Sequence, residues 1–275
     1  MQKQRVVRAK SSFEGSHIIT SLTLLGLMIC FVMALREHYI SVLPGAETYF
    51  IPIWLALAMC FSLISFKNFT CGFLISVFSM LIAWRIAGIY HMLSVMVPLI
   101  IVFALFLSNF IYCVHKNLKS PTRYLHPLSL FIWQLTFIRL YIGFDFIPHF
   151  TEKLFAGPVP RFADIRAFAN LGITDPVFFV YLAGCCELGA AIALSLGFLT
   201  RLGSIAAVLY LLMATYLGHH FIDGFIWAGP GGGWEFAVMW IMLILSFAVT
   251  GANAFSIDQV LSDRFTLPRW IQKLM

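Results

Sequence analysis

The chain has 275 residues, 61% hydrophobic and only 11% charged, with a formal net charge of +6. A soluble domain carries about a quarter charged residues, so this composition excludes a soluble globular protein and points to a bilayer. Apolar runs of about twenty residues without alternation exclude a transmembrane β-barrel, whose segments alternate over about ten residues.

The expected fold class is an all-α polytopic membrane protein with about eight transmembrane helices. Lys3, Arg5, Arg8 and Lys10 precede the first apolar run. A signal peptide with a weak site at Val32-Met33-Ala34 is one reading, but the run exceeds a signal core and favours a retained span. The spacing predicts spans over 17–35, 49–66, 70–90 and 92–114. Arg85, near the outer end of the third, either snorkels to the interface or pairs with the second half of the chain. The polar, basic stretch 115–126 (HKNLKSPTRYLH) contains Pro121 and marks a boundary. It divides an N-terminal membrane region of about four helices (1–125), with no recognisable family, from a second half (126–275). Spans over 127–149, 176–199, 202–222 and 235–251 follow, with no internal repeat relating the halves. Twelve of the 18 Lys and Arg residues fall on inner segments if the chain starts in the cytoplasm, so both termini are expected inside. The positive charge thus reports topology rather than nucleic-acid binding. The six cysteines form no CxxC pair and are expected to be plain buried thiols.

Two charges stand inside apolar runs. Arg139 is about 18 Å of helix from the inner end of its span, and Glu187 about 15 Å from the outer start of its own. Charges at matched depth predict an ion pair inside the bundle. It is either a satisfied structural pair or the floor of a polar cavity or proton path. Ala183, Gly184, Gly189, Ala190 and Ala191 around Glu187 let a neighbouring helix approach, so the carboxylate looks inward. Toward the outer end of the fifth span, Asp145, His149 and either Glu152 or Lys153 share one helical face, although Pro148 can bend it. The seventh span ends in His219-His220, with Asp223 in reach of His219, before the glycine-rich segment 224–235 (GFIWAGPGGGWE). Adjacent histidines cannot ligate one metal from one helix face. A metal or haem site would have to recruit His149, Asp145 or Glu235, and no metal ligands are assigned. The segment 151–175 contains a short amphipathic helix, with Phe162, Ile165, Phe168 and Ala169 on one face, that serves as a surface connector or a lid. No G-x-G-x-x-G or Walker pattern is present, which argues against a nucleotide site.

Over 133–261 the chain carries IRLYIGFDFIPHFTEKLFAG, FANLGI, CCELGAAIALSLGFLTRLG, GGGWEF and VTGANAFSIDQVL. In order and spacing these resemble the DoxX family of four-helix membrane proteins. The resemblance places Arg139, Gly143, Lys153, Glu187, Arg201, Glu235 and Asp258 on the family pattern; Asp145 and His219-His220 fall outside it. It implies a DoxX-like four-helix bundle in 126–275 and a membrane oxidoreductase role, the family including proteins similar to the small subunit of a thiosulfate:quinone oxidoreductase. The leading expectation is a subunit of a quinone-linked or sulfur/metal redox system in a bacterial inner membrane. His149, His219, His220 and Glu235 are the candidate catalytic groups, and Arg139, Asp145, Lys153 and Glu187 the candidate cofactor-binding groups. Quinone leads as cofactor, with haem or copper behind it. Expected partners are the lipid bilayer and other redox or periplasmic proteins, not nucleic acid. Two rival readings are a non-catalytic membrane anchor or assembly partner and a small-molecule transporter.

Overall fold

The computed structural model describes residues 13–40, 46–119, 128–227 and 232–275. The basic start with Lys3, Arg5, Arg8 and Lys10, the boundary at Pro121 and Arg123, and the centre of the glycine-rich segment lie outside the described residues. The elements in order are α1 (His17–Ile40), a 3₁₀ turn (Ala46–Tyr49), α2 (Phe50–Ile64), α3 (Phe69–Ile89), α4 (Leu93–Leu118), α5 (Leu128–Leu154) and α6 (Pro158–Asn170). Then come α7 (Pro176–Ala191), continued by a π-helical segment (Ile192–Leu196), α8 (Thr200–Leu217), α9 (Glu235–Thr250), α10 (Ile257–Arg264) and α11 (Arg269–Leu274).

Every predicted span is a helix. Six of them (α1, α3, α4, α5, α7 with its π segment, and α8) are long and apolar enough to cross a membrane. The other two, α2 with 15 residues and α9 with 16, are shorter than the expectation of eight full crossings requires. At about 1.5 Å per residue they reach roughly 23–24 Å, against a hydrocarbon core of about 30 Å. The protein is a multi-pass helical membrane protein.

Local chemistry sets the helix ends. Asn68 caps α3 by accepting from the Cys71 amide at 3.3 Å. Asp175 caps α7 through Phe178 N at 3.2 Å, with Pro176 at the first helical position. The predicted 202–222 span overruns, because α8 stops at Leu217. His219 takes a left-handed φ of 60°, while His220 N donates to Thr215 O and His219 N to Tyr216 O, both at 3.1 Å. This is the Schellman closure with His in the place usually given to Gly. It removes the helical spacing expected between His219 and Asp223.

α3 is the most buried of the membrane-length helices and packs on α2, α4 and α5. Ser76 Oγ donates to Ala58 O at 2.7 Å, joining α3 to α2. Asn109 of α4 donates to Thr20 Oγ1 at 2.9 Å and accepts from Ser16 N at 2.7 Å, joining α4 to α1. One continuous core runs through both halves. One end of it is aromatic: the Phe255 ring lies 5.4 Å from Phe13, 5.7 Å from Phe73 and 5.2 Å from Phe110. Arg85 of α3 pairs with Glu152 of α5, and Tyr90 donates to Ala156 O at 2.8 Å, so of the two readings for Arg85 the pairing holds. The cysteines depart from expectation: Cys30 and Cys113 are buried, whereas Cys60, Cys185 and Cys186 sit on the outer surface of the bundle.

α5 and α7 cross at small residues. A Cβ on Gly143 would lie 2.1 Å from Ser195 N, a backbone atom that cannot step aside. A Cβ on Gly184 would meet Leu154 at 2.9 Å. We expect Gly143→Ala to destabilise the protein by about 1–3 kcal/mol through overpacking. Gly189→Ala, with nothing within 4 Å of its Cβ, is the matched control and stays neutral. Thermal unfolding of the purified variants in detergent checks both.

Candidate functional site

Two polar centres occupy the C-terminal half, and they are separate. The first surrounds Arg139, which is fully buried (0% exposed). Its Nη1 donates to Leu194 O and, at 3.3 Å, to Ser195 O; its Nη2 donates to Phe255 O at 2.8 Å and Ala254 O at 3.5 Å. The π-helical turn frees the carbonyls that receive it, since widening a helix interrupts the regular i→i−4 ladder. Phe255 holds a left-handed φ of 52°, costing about 1–2 kcal/mol for a non-glycine residue. Its buried ring and its bond to Arg139 hold it there. Gly197, at φ 65°, leaves room for the guanidinium: a Cβ there would lie 2.8 Å from Arg139 Nη1. Beside this knot Asp258 accepts from Leu199 N at 2.8 Å, Thr200 N at 3.0 Å and Thr200 Oγ1 at 2.9 Å, capping α8 from the start of α10. Burial pushes the Asp258 carboxyl above its ordinary range, against the hydrogen bonds from Thr200 and Leu199 and the charge of Arg139.

The second centre surrounds Glu187. Lys153 Nζ donates to Glu187 Oε1 at 3.1 Å and lies 3.1 Å from Oε2. Tyr210 donates its hydroxyl to the same Oε1 at 2.5 Å. Lys153 also donates to His149 O at 3.2 Å. The expected Arg139–Glu187 ion pair is therefore not formed; Glu187 takes Lys153 instead. The Gly143–Ser195 and Gly184–Leu154 contacts fix the antiparallel register of α5 and α7, placing Glu187 level with the end of α5. Arg139 lies about eleven residues, or roughly 16 Å, away along the axis. The depth argument failed because depth counted from span ends does not fix the register between two helices: Arg139 stays near the middle of α5, while the Gly143–Ser195 contact sets Glu187 level with its end.

A cavity of about 270 Å³ opens over this second centre. Phe146, Phe236 and Trp240 supply apolar wall, Glu187 and Tyr210 the floor, and Asp145, His149, Thr215 and His220 further polar groups. His220, Phe236 and Ala237 also line a neighbouring cavity of about 290 Å³ beside Trp227 and Gly233. His220 Nδ1 donates to Gly232 O at 2.6 Å, which turns the other ring nitrogen into an available acceptor. Of the residues named from sequence, Asp145, His149, Glu187 and His220 meet at this cavity and Lys153 braces its floor. Arg139, His219 and Glu235 do not line it. Arg139 belongs to the first centre, His219 is exposed by the left-handed step that carries His220 to the cavity, and Glu235 sits in the first turn of α9, where a carboxylate suits the helix dipole. Among the described residues no three His, Cys, Asp or Glu side chains come together to hold a metal ion. Sequence reasoning missed Tyr210. The available signal was a phenol in an apolar span, which needs a partner for its hydroxyl when buried.

α6 packs against α5 and α7, following the C-terminal end of α5 and preceding the start of α7. Arg161 Nε donates to Lys153 O at 2.8 Å, its Nη2 to Leu154 O at 3.3 Å, and its guanidinium stacks 5.1 Å from the Tyr181 ring.

A helical bundle with a buried acid–lysine–tyrosine cluster beside a cavity between its helices defines a polytopic membrane protein with an internal polar site. Residues 134–220 match the family model described as DoxX, which makes the C-terminal half DoxX-like. The motifs beyond residue 220 that resemble the family lie outside that match. An uncharacterized protein of Haemophilus influenzae is 28% identical over 124 residues, covering 45% of this chain and 87% of that protein. The inner membrane protein YphA of Escherichia coli is 29% identical over 140 residues, covering 48% of this chain and 90% of its own length. No solved structure matches the chain.

Proposed function

We propose that the protein is a quinone-binding subunit of a redox system in a bacterial inner membrane, the membrane named for one relative. The observation that carries this reading is the cavity of about 270 Å³, with aromatic walls and a continuous hydrogen-bonded floor. A quinone head is flat and apolar with a carbonyl at each end. Phe146, Phe236 and Trp240 suit its faces; Tyr210 and Glu187 at the floor, with His149 and His220 above, suit its oxygens. Reducing the quinone to quinol takes two electrons and two protons. The electrons would come from a flavin, haem or iron–sulfur centre of a partner protein, and the side chains here would hold and pass the protons. A short-chain benzoquinone titrated into purified protein in nanodiscs should quench tryptophan fluorescence saturably. Tyr210→Phe and His220→Ala should each weaken the apparent Kd about tenfold, the scale of one lost buried hydrogen bond. Absence of saturable quenching, with quinol turnover unchanged in membranes lacking the protein, sinks the proposal.

A second reading, a non-catalytic anchor for a redox enzyme, is favoured by α6. None of its residues is buried, and Val159 and Phe162 are 76% and 62% exposed. Recovery of a stable complex from mild detergent that persists in Tyr210→Phe would favour this second reading.

A further inference from the structure

A polar cavity of about 400 Å³ lies where three parts of the chain meet: the start of α1, the turn between α2 and α3, and the end of α10. It is far in sequence from every residue of the Glu187 cluster. α10 packs on α3, which carries Arg264 to the same cavity as Lys67 of the α2–α3 turn. Among the described residues neither cation has a hydrogen-bond or ion-pair partner. Thr70, in the first turn of α3, also lines the cavity and is only 3% exposed. Thr20, Thr23, Thr136 and Thr215 each donate to the carbonyl four residues back. The Thr70 hydroxyl makes no such bond, and among the described residues it has no other partner. A buried hydroxyl left open costs free energy unless something else satisfies it. Asn68 caps the Cys71 amide, and Gly72 N donates to Asn68 O at 3.0 Å, so the open amides at this helix end are those of Phe69 and Thr70. Two carboxylates face the cavity as well. Glu14 is taken by Lys116 of α4, and Asp263 stands beside Arg264. That leaves two cations to one open carboxylate. His17 supplies ring surface, stacked on Phe66 with centroids 5.6 Å apart.

We propose that this cavity binds the phosphodiester of a membrane phospholipid. Lys67 and Arg264 meet its single negative charge; the Thr70 hydroxyl and the first amides of α3 donate to its oxygens, at the positive end of the helix dipole. The depth of the cavity favours a lipid as the source of the phosphate. α1 and α3 are long and apolar enough to cross a membrane, and both begin at its rim. From that rim Ile18, Leu22, Leu25 and Ile29 run along one exposed face of α1, at helical spacing, as a track for an acyl chain.

The test uses the full chain in mild detergent, with bound lipid counted by native mass spectrometry during titration with dioleoyl phosphatidylglycerol. One molecule should bind ahead of all others, and dioleoylglycerol, which has the same chains and no phosphate, should not replace it. Lys67→Gln with Arg264→Gln should weaken this first binding about tenfold or more, and Thr70→Val about fivefold. Both cations are exposed and Val matches Thr in shape, so these variants should keep the wild-type unfolding midpoint. Arg269→Gln with Lys273→Gln removes the same charge from α11, outside the cavity, and should leave binding unchanged. Wild-type affinity in Thr70→Val, or an equal loss in the α11 pair, would reduce the effect to general charge attraction and overturn the site. Displacement of the lipid by millimolar inorganic phosphate would assign the cavity to a soluble phosphate and overturn the lipid.

Discussion

Arg139→Met is expected to lower the unfolding free energy by about 3–5 kcal/mol, a fall of roughly 6–20 °C in midpoint at 2–4 °C per kcal/mol. The four carbonyls that receive the guanidinium, those of Leu194, Ser195, Ala254 and Phe255, would lose their donor. Each buried acceptor left open costs about 1–3 kcal/mol, while removing a buried charge returns part of that sum. The strained Phe255 backbone would also lose one of its two restraints. Arg139→Lys should recover only a minority of the loss, because an ammonium cannot span two carbonyl pairs as a planar fork does. Thermal unfolding in detergent measures both. A midpoint within about 3 °C of wild type, roughly 1 kcal/mol, for Arg139→Met would show that the knot is not a source of stability.

Glu187→Leu should be of similar size for a different reason. It strands the Lys153 ammonium in a buried position and leaves the Tyr210 hydroxyl without its acceptor, and breaking a buried pair from one side costs about 3–5 kcal/mol. The double variant Lys153→Met with Glu187→Leu should regain most of that stability, since a buried pair replaced by apolar groups is often neutral. It should not regain saturable quinone quenching. This separation of stability from binding distinguishes a working site from a structural ion pair. If the double variant binds like wild type, the cluster serves the fold alone.

The helices were legible because apolar runs of membrane length permit little besides a helix; their starts fell within two residues, while the ends of α1 and α5 ran five residues past the expected spans. At α8 the left-handed His219 closed the helix five residues early, a step that sequence rarely signals because glycine usually takes it. Which charges meet was less legible. Arg139 and Glu187 are both buried as expected, but depth counted from span ends cannot supply the register between two helices. That register is set by the Gly143–Ser195 contact, a backbone approach that sequence reveals only as a small residue. Lys153 was placed at the end of its helix, and its long side chain carries the ammonium to a carboxylate on α7. Tyr210 escaped notice because one phenol in an apolar run breaks no periodicity.

Arg139 also bears on how the protein is made. Its acceptors lie 55 and 56 residues downstream on the π-helical turn, and 115 and 116 downstream at Ala254 and Phe255. A chain inserted from its N-terminus delivers this cation to the membrane long before half of its acceptors have been synthesised. Until they arrive the guanidinium is incompletely bonded in a medium that penalises it. Final closure of the C-terminal half therefore waits for the segment after α9. An interrupted nascent chain would carry an open cation at its centre, a mark by which quality control could tell an unfinished protein from a finished one.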